Sequence, residues 1–261
     1  MRLEFGDRCV TGTYPVSQQI ERQLSESGFC RLLKVKSRAD ASIPSRSVRY
    51  IAFKSEQEIN AETIAEVRDE LLRDDLKMPV QVRRMIFRAL SEAMTNVNHH
   101  AYLGKQFSHP RVAEKLSGRW WMLASLHTER NRFSLLFYDA GVGIPKTLPR
   151  THTMERIRAT LSLLFDPDDG QMLEAAMEMG RSRTKLSHRG KGLLDLARLI
   201  DSVGSGELRI YSRTGALVYR PDYLRGSNHD GFVEGTLIEW RLPFTGAVET
   251  IPEESHEDVD G

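Results

Sequence analysis

The apolar run Phe133-Ser134-Leu135-Leu136-Phe137-Tyr138 stops on Asp139 and then turns through Ala140-Gly141-Val142-Gly143. A short apolar run bounded by glycines reads as a buried strand. Such a strand delivers the carboxylate that ends it to a fixed place in the fold. The two glycines then leave bare backbone, which a flat or anionic ligand can approach closely. Many tight turns after strands share this form, so the rest of the chain has to decide whether this one builds a site.

The chain has 261 residues, enough for one large domain or a domain with an appendage, each with a substantial core. Charged residues make up 28% and hydrophobic ones 40%, an ordinary balance for a soluble protein. A net charge of +1 gives no reason to expect a nucleic-acid partner, although it leaves room for a local basic site. Cys9 and Cys30 are too few to make a metal framework and read as reduced thiols of a cytosolic protein. Met1-Arg2-Leu3-Glu4-Phe5 has no signal-peptide core, and no run reaches the roughly 18 apolar residues of a membrane helix. The expected location is the cytoplasm, with no membrane partner.

Along the chain, residues 1–47 form an N-terminal segment without a readable motif. It holds a polar helix from Ser17 to Ser27, a strand-like run Arg31-Leu32-Leu33-Lys34-Val35, and a boundary loop from Ser37 to Ser47. Val48 to Phe53 is expected as a strand and Asn60 to Arg73 as a helix. Pro79 can open the next helix, where its missing N–H costs nothing. That helix runs to about Tyr102, with Val82, Ile86, Ala89, Ala93 and Val97 as its core stripe. Strands follow at Trp120 to Leu126 and Phe133 to Tyr138. Residues 145–188 are long, polar and helix-leaning, and Gly192 to Ile200 makes another amphipathic helix. Strands at Leu208 to Tyr211, Leu217 to Tyr219 and Thr236 to Arg241 complete a domain spanning 48–244. The tail 245–261 carries Glu249, Glu253, Glu254, Glu257, Asp258 and Asp260 with little apolar content, so it is expected to be disordered. There are no internal repeats. The pattern predicts an α+β fold of two layers, a mixed sheet with helices on one face.

Four pieces can carry chemistry. On the Pro79 helix, Glu92, Asn96 and His100 recur at four-residue steps, which places them on one stripe beside the apolar face. Asn96 offers a carbonyl oxygen suited to Mg²⁺, and Glu92 could orient or deprotonate a water. The alternative is that Glu92 pairs with Arg88 one turn earlier and Asn96 is merely solvated. His99 and His100 are adjacent, so they are expected to point apart and not to line one site together. Asp139-Ala140-Gly141-Val142-Gly143 is the second piece. The third is Ser187-His188-Arg189-Gly190-Lys191-Gly192-Leu193, directly before an amphipathic helix, where N–H groups and the helix dipole favour an anion. It is not a P-loop, because no Ser or Thr follows Gly190-Lys191. A solvated basic loop is its alternative. The fourth is Gly235-Thr236, opening a strand that ends at Trp240, where the threonine could equally reflect β-propensity.

Taken in this order, the four pieces resemble the GHKL (histidine-kinase-like) ATPase superfamily over roughly Pro79 to Phe244. Glu92-x-x-x-Asn96-x-x-x-His100 looks like its helical N-box, and Asp139-x-Gly141-x-Gly143 like its first glycine box. Gly190-Lys191-Gly192-Leu193 looks like the second, and Gly235-Thr236 like the short final motif. The resemblance implies a two-layer α/β sandwich of the Bergerat type that binds ATP with Mg²⁺. Asp139 would then accept a hydrogen bond from the adenine amino group, and Gly141 and Gly143 would let the ring and ribose lie against backbone. Asn96 would ligate Mg²⁺, and Glu92 would be the base in members that hydrolyse ATP. Gly190 and Gly192 would hold phosphates, and Thr236 would support the network around Asp139. His100, Arg189 and Lys191 would join the nucleotide contacts. Residues 145–188 would correspond to the lid.

The chain departs from the family pattern in an added segment, about Leu103 to Ser117, and in Lys191, where many kinases carry a small or apolar residue. Nucleotide binding alone leaves several tasks open. An ATPase switch acting on a protein partner or a homodimer is favoured by Glu92. A histidine kinase would carry a phosphoacceptor histidine upstream, yet no histidine precedes Pro79. A serine kinase of the anti-sigma type, acting on a partner protein, remains the alternative. A non-catalytic interaction module is the third reading, which intact Glu92, Asn96 and Asp139 argue against.

Overall fold

The computed structural model describes residues 13–32, 35–38, 48–57, 62, 66, 69, 78–108, 110–127, 129–182 and 192–243. In order these form α1 (Gln18–Glu26), α2 (Phe29–Leu32), β1 (Val48–Glu56), α3 (Val80–Asn96) continuing into a π turn (Val97–Ala101), α4 (Pro110–Leu116), β2 (Trp120–His127), β3 (Arg132–Asp139), α5 (Ile144–Thr151), α6 (Met154–Thr160), α7 (Asp169–Ser182), α8 (Gly192–Val203), β4 (Glu207–Arg220) and β5 (Tyr223–Pro243). The fold is α+β, as the sequence pattern predicts. The expected Asn60–Arg73 helix falls mostly outside the described residues, as does the acidic tail. Arg31 and Leu32, read as the start of a strand, close the short helix α2 instead.

The five strands lie in the order β1-β2-β3-β5-β4, and every pairing is antiparallel. Among the described residues the sheet is therefore open and antiparallel, not mixed. Two tight connections account for much of this, since a short turn can only join antiparallel strands. Asn131 lies in the turn from β2 into β3 and Asp222 in the turn from β4 into β5, both at positive φ. The two strands expected at Leu208–Tyr211 and Leu217–Tyr219 are one strand, β4, whose register shifts around Arg213. β5 is also much longer than the Thr236–Arg241 run. Its first half is largely polar and is held by pairing with β4.

One sheet face carries the core. Residues at alternating positions point to it, as the two-residue period of a strand demands. Leu135, Trp240 and Leu208 face each other in one cross-strand row, and Phe137, Ile238 and Ile210 in the next. Helix α3 covers this face with Ile86, Ala89, Leu90, Ala93 and Met94, spaced to form its buried stripe. Leu173 and Met177 of α7 and Leu196, Ala197, Leu199 and Ile200 of α8 join the same core. The Trp240 ring N–H donates to the Leu196 carbonyl at 2.9 Å, tying α8 to the sheet and satisfying a buried donor. A smaller cluster of Leu148, Ile157, Met172, Ala175, Ala176 and Met179 fastens α5 and α6 to α7. The described part of the 145–188 segment is thus mostly helical, and its α7 is built into the core.

Candidate functional site

The core rows do not stay apolar. The inward row after Phe137–Ile238–Ile210 is Asp139–Thr236–Ser212, again paired in register across β3, β5 and β4. The same strand period that buries the apolar rows buries this polar triplet, and all three residues are almost wholly enclosed. Buried polar groups need partners. Asp139 Oδ1 accepts the Gly141 N–H at 2.8 Å, and Thr236 hydrogen-bonds the same carboxyl through its backbone and its hydroxyl. The Ser212 hydroxyl donates to the Gly235 carbonyl at 2.7 Å and accepts the Ile144 N–H at 3.0 Å.

A cavity of about 870 Å³ opens on this row. Asp139, Thr236, Phe137 and Ile238 form its floor, α3 and the π turn one wall, α5 another, and α8 the far end. Glu92, Asn96 and His100 all line it, as do Asp139, Gly143 and Thr236, so the expected site residues from three separate stretches meet in one place. His99 lines it too, contrary to the expectation that the two adjacent histidines point apart. The helix ends in a π turn there, which widens the last turn, and the two rings stand edge to face with centroids 6.0 Å apart.

Two glycines of the Asp139 turn have distinct structural reasons. Gly143 holds φ at +87°, a conformation that favours glycine, and begins α5. Gly141 is not part of the cavity lining. A Cβ there would collide with the Ala101 carbonyl, and the neighbouring Val142 N–H donates to that same oxygen at 2.7 Å. Its bareness serves the contact between the turn and the end of α3. Of the second glycine box, Gly192 starts α8, while Arg189, Gly190 and Lys191 lie outside the described residues.

The electrostatics follow from burial. Desolvation raises the Asp139 carboxyl to about 7, against the hydrogen bonds from Gly141 and Thr236 and the nearby charge of Lys105, which pull it down. Glu92 is also raised, first by burial and then by the Asp195 carboxylate, with Arg88 and His99 opposing. His100 is lowered by burial and by His99. Arg88 reaches Asp195 of α8 at 3.7 Å, across the cavity's far end, and Asp195 also pairs with Arg198. The Arg88 ion pair therefore runs between helices, not one turn along α3 to Glu92.

Several contributors escape the sequence pattern. Ser212 continues the inward alternation Leu208-x-Ile210-x-Ser212, a signal that could have marked it. Tyr102, at the end of the expected helix, and Lys105, just after it, are brought to the Asp139 turn only by tertiary structure. Among the described residues, no three His, Cys, Asp or Glu side chains come together as a metal cage. No family model matches the chain, and no curated protein matches it.

Proposed function

We propose that this chain is an ATP-binding protein of the GHKL type, with a Bergerat-like ATP site, that couples Mg²⁺-dependent ATP hydrolysis or ATP-driven switching to a protein partner. The observation that carries the reading is the convergence of Glu92, Asn96, His100, Asp139, Gly143 and Thr236 on one cavity. Its volume of about 870 Å³ falls in the range of ligand pockets. Apolar Phe137, Ile238, Leu148 and Leu193 suit a flat base, and the polar α3 stripe suits phosphates.

In this reading the ionised Asp139 accepts an N–H from the base, and Thr236 and the Gly141 N–H fix the carboxyl in place. The Asn96 side chain offers one oxygen ligand, which fits Mg²⁺, an ion that takes most of its shell from water and phosphates. When bound, the ion supplies neutralisation of phosphate charge. Glu92, one helical turn from Asn96 and held less acidic than usual by burial, accepts a proton from the attacking water.

Titrating ATP with Mg²⁺ into the protein, then following phosphate release and label transfer from γ-labelled ATP, tests this. Wild type should bind ATP in preference to GTP and release phosphate, while Glu92→Gln should bind ATP and release at least about 100-fold less. Absence of ATP binding would sink the proposal. Label retained on protein would move the function to the serine or histidine kinase alternative.

A further inference from the structure

Three successive residues after Asp139 are gripped by the chain that leaves α3. The Ala140 N–H donates to the Tyr102 hydroxyl at 3.1 Å, the Lys105 ammonium donates to the Gly141 carbonyl at 3.3 Å, and the Val142 N–H donates to the Ala101 carbonyl at 2.7 Å. The Tyr102 hydroxyl in turn donates to the Arg119 carbonyl. Lys105 is mostly buried, with its side chain 13% exposed, and it also pairs with Glu234 of β5, which is 64% exposed. Burying a lysine costs free energy unless it is paired. Here its position is shared between a surface carboxylate and the turn that holds Asp139.

We propose that Lys105 is a positioning residue that keeps the Asp139 carboxyl as a hydrogen-bond acceptor, making the inner end of the cavity selective for a base that offers an N–H donor. This rests on the nucleotide reading for the ligand, though its effect on Asp139 can be measured without one. The groups that bear on Asp139 are few. Tyr138 precedes it on β3, Tyr102 faces it from the end of α3, and burial raises both hydroxyls, which leaves them neutral. Thr236 faces it from β5 and contributes hydrogen bonds without charge. Lys105 supplies the positive charge, and Glu234 draws that charge outward towards solvent. Removing Lys105 should favour the protonated carboxyl, which presents an O–H where a donor base needs an acceptor. Removing the Glu234 charge should do the reverse.

The test is a carboxyl titration by carbon NMR of protein labelled in aspartate, with Asp139→Asn assigning the signal. Wild type should titrate at a midpoint near 7. Lys105→Met should raise that midpoint by about 0.5–1 pH unit, Lys105→Arg should restore it, and Glu234→Gln should lower it. With a one-unit rise, the ionised fraction at pH 7 falls from about a half to about a tenth, so ATP binding weakens roughly five-fold there and hardly at all at pH 9. A midpoint that stays put in folded Lys105→Met overturns the proposal. So does an affinity loss of equal size at both pH values, which is the mark of a purely structural role. Should Lys105→Met not fold, an unmoved midpoint in Glu234→Gln overturns it instead. If the midpoints move as expected but wild type binds no ATP at any pH, the nucleotide reading fails and the hold of Lys105 on Asp139 stands.

Discussion

The Ser212 hydroxyl oxygen stands 3.0 Å from the Ile144 amide nitrogen, so a side chain of β4 fixes where α5 begins. The same hydroxyl donates to the Gly235 carbonyl. Ser212→Ala therefore leaves a donor and an acceptor open in a buried place. A loss of about 1–3 kcal/mol is expected in urea denaturation. ATP affinity should fall with it, because Gly143 and Ile144 line the cavity beside that contact. An unchanged unfolding midpoint would show that the pair is dispensable.

Gly235 is constrained twice. Its φ is +82°, and a Cβ there would overlap the Asp139 carbonyl oxygen and crowd the Gly141 nitrogen. Gly235→Ala should thus cost about 2–4 kcal/mol, more than an alanine at positive φ usually does, because the obstruction is backbone and cannot swing aside. Gly204 is the control. It also has positive φ (+71°), yet nothing lies near its would-be Cβ. Gly204→Ala should lose visibly less stability in the same denaturation series.

The buried carboxyl of Asp139 gives a pH signature. Its value is about 7 in the fold against 3.8 for an ordinary aspartate. Between those limits the folded chain holds a proton that the unfolded chain has lost. The contribution of this group to stability therefore declines as pH rises from about 4 to 7 and is flat above that. Asp139→Asn removes the decline. The variant should gain on wild type by up to about 2–4 kcal/mol at pH 8 and by little at pH 4, even as its ATP affinity drops. Denaturation curves at the two pH values measure this directly, and a gap that does not widen with pH contradicts it.

The N-terminal segment exposes Tyr14, Val16, Ile20 and Phe29 within a short stretch around α1 and α2. Exposed apolar groups gathered in this way suit contact with a partner or a second copy. Deleting residues before Val48 should leave ATP affinity mostly intact and abolish association, read by light scattering and co-purification. Association that survives the deletion excludes this role.

How much of the fold and the site is legible in the sequence depends on the range of the contacts. Residues placed by local periodicity are readable: Glu92 and Asn96 on α3 with His100 in the π turn that continues it, and Asp139 at the end of an apolar run. Strand direction is not. The sheet expected as mixed is antiparallel, and the tight turns at Asn131 and Asp222 that make it so are short stretches without the periodicity that marks the strands beside them. The first half of β5 escapes notice because its residues are held by β4 and not by a hydrophobic face. His99 joins His100 at the cavity in a π turn, which helical periodicity does not announce. Lys105 illustrates the limit, since its partners Gly141 and Glu234 are 36 and 129 residues away in sequence.

The two ends of the cavity differ in what they are made of. Behind the inner end main chain meets main chain, with Gly141 against Ala101 and Gly235 against Asp139, so a side chain at either glycine is obstructed. The outer end is furnished by side chains, with the buried Asp195 of α8 paired to Arg88 of α3 and to Arg198. A changed side chain at the outer end disturbs an ion pair, whereas an added one behind the inner end must displace main chain.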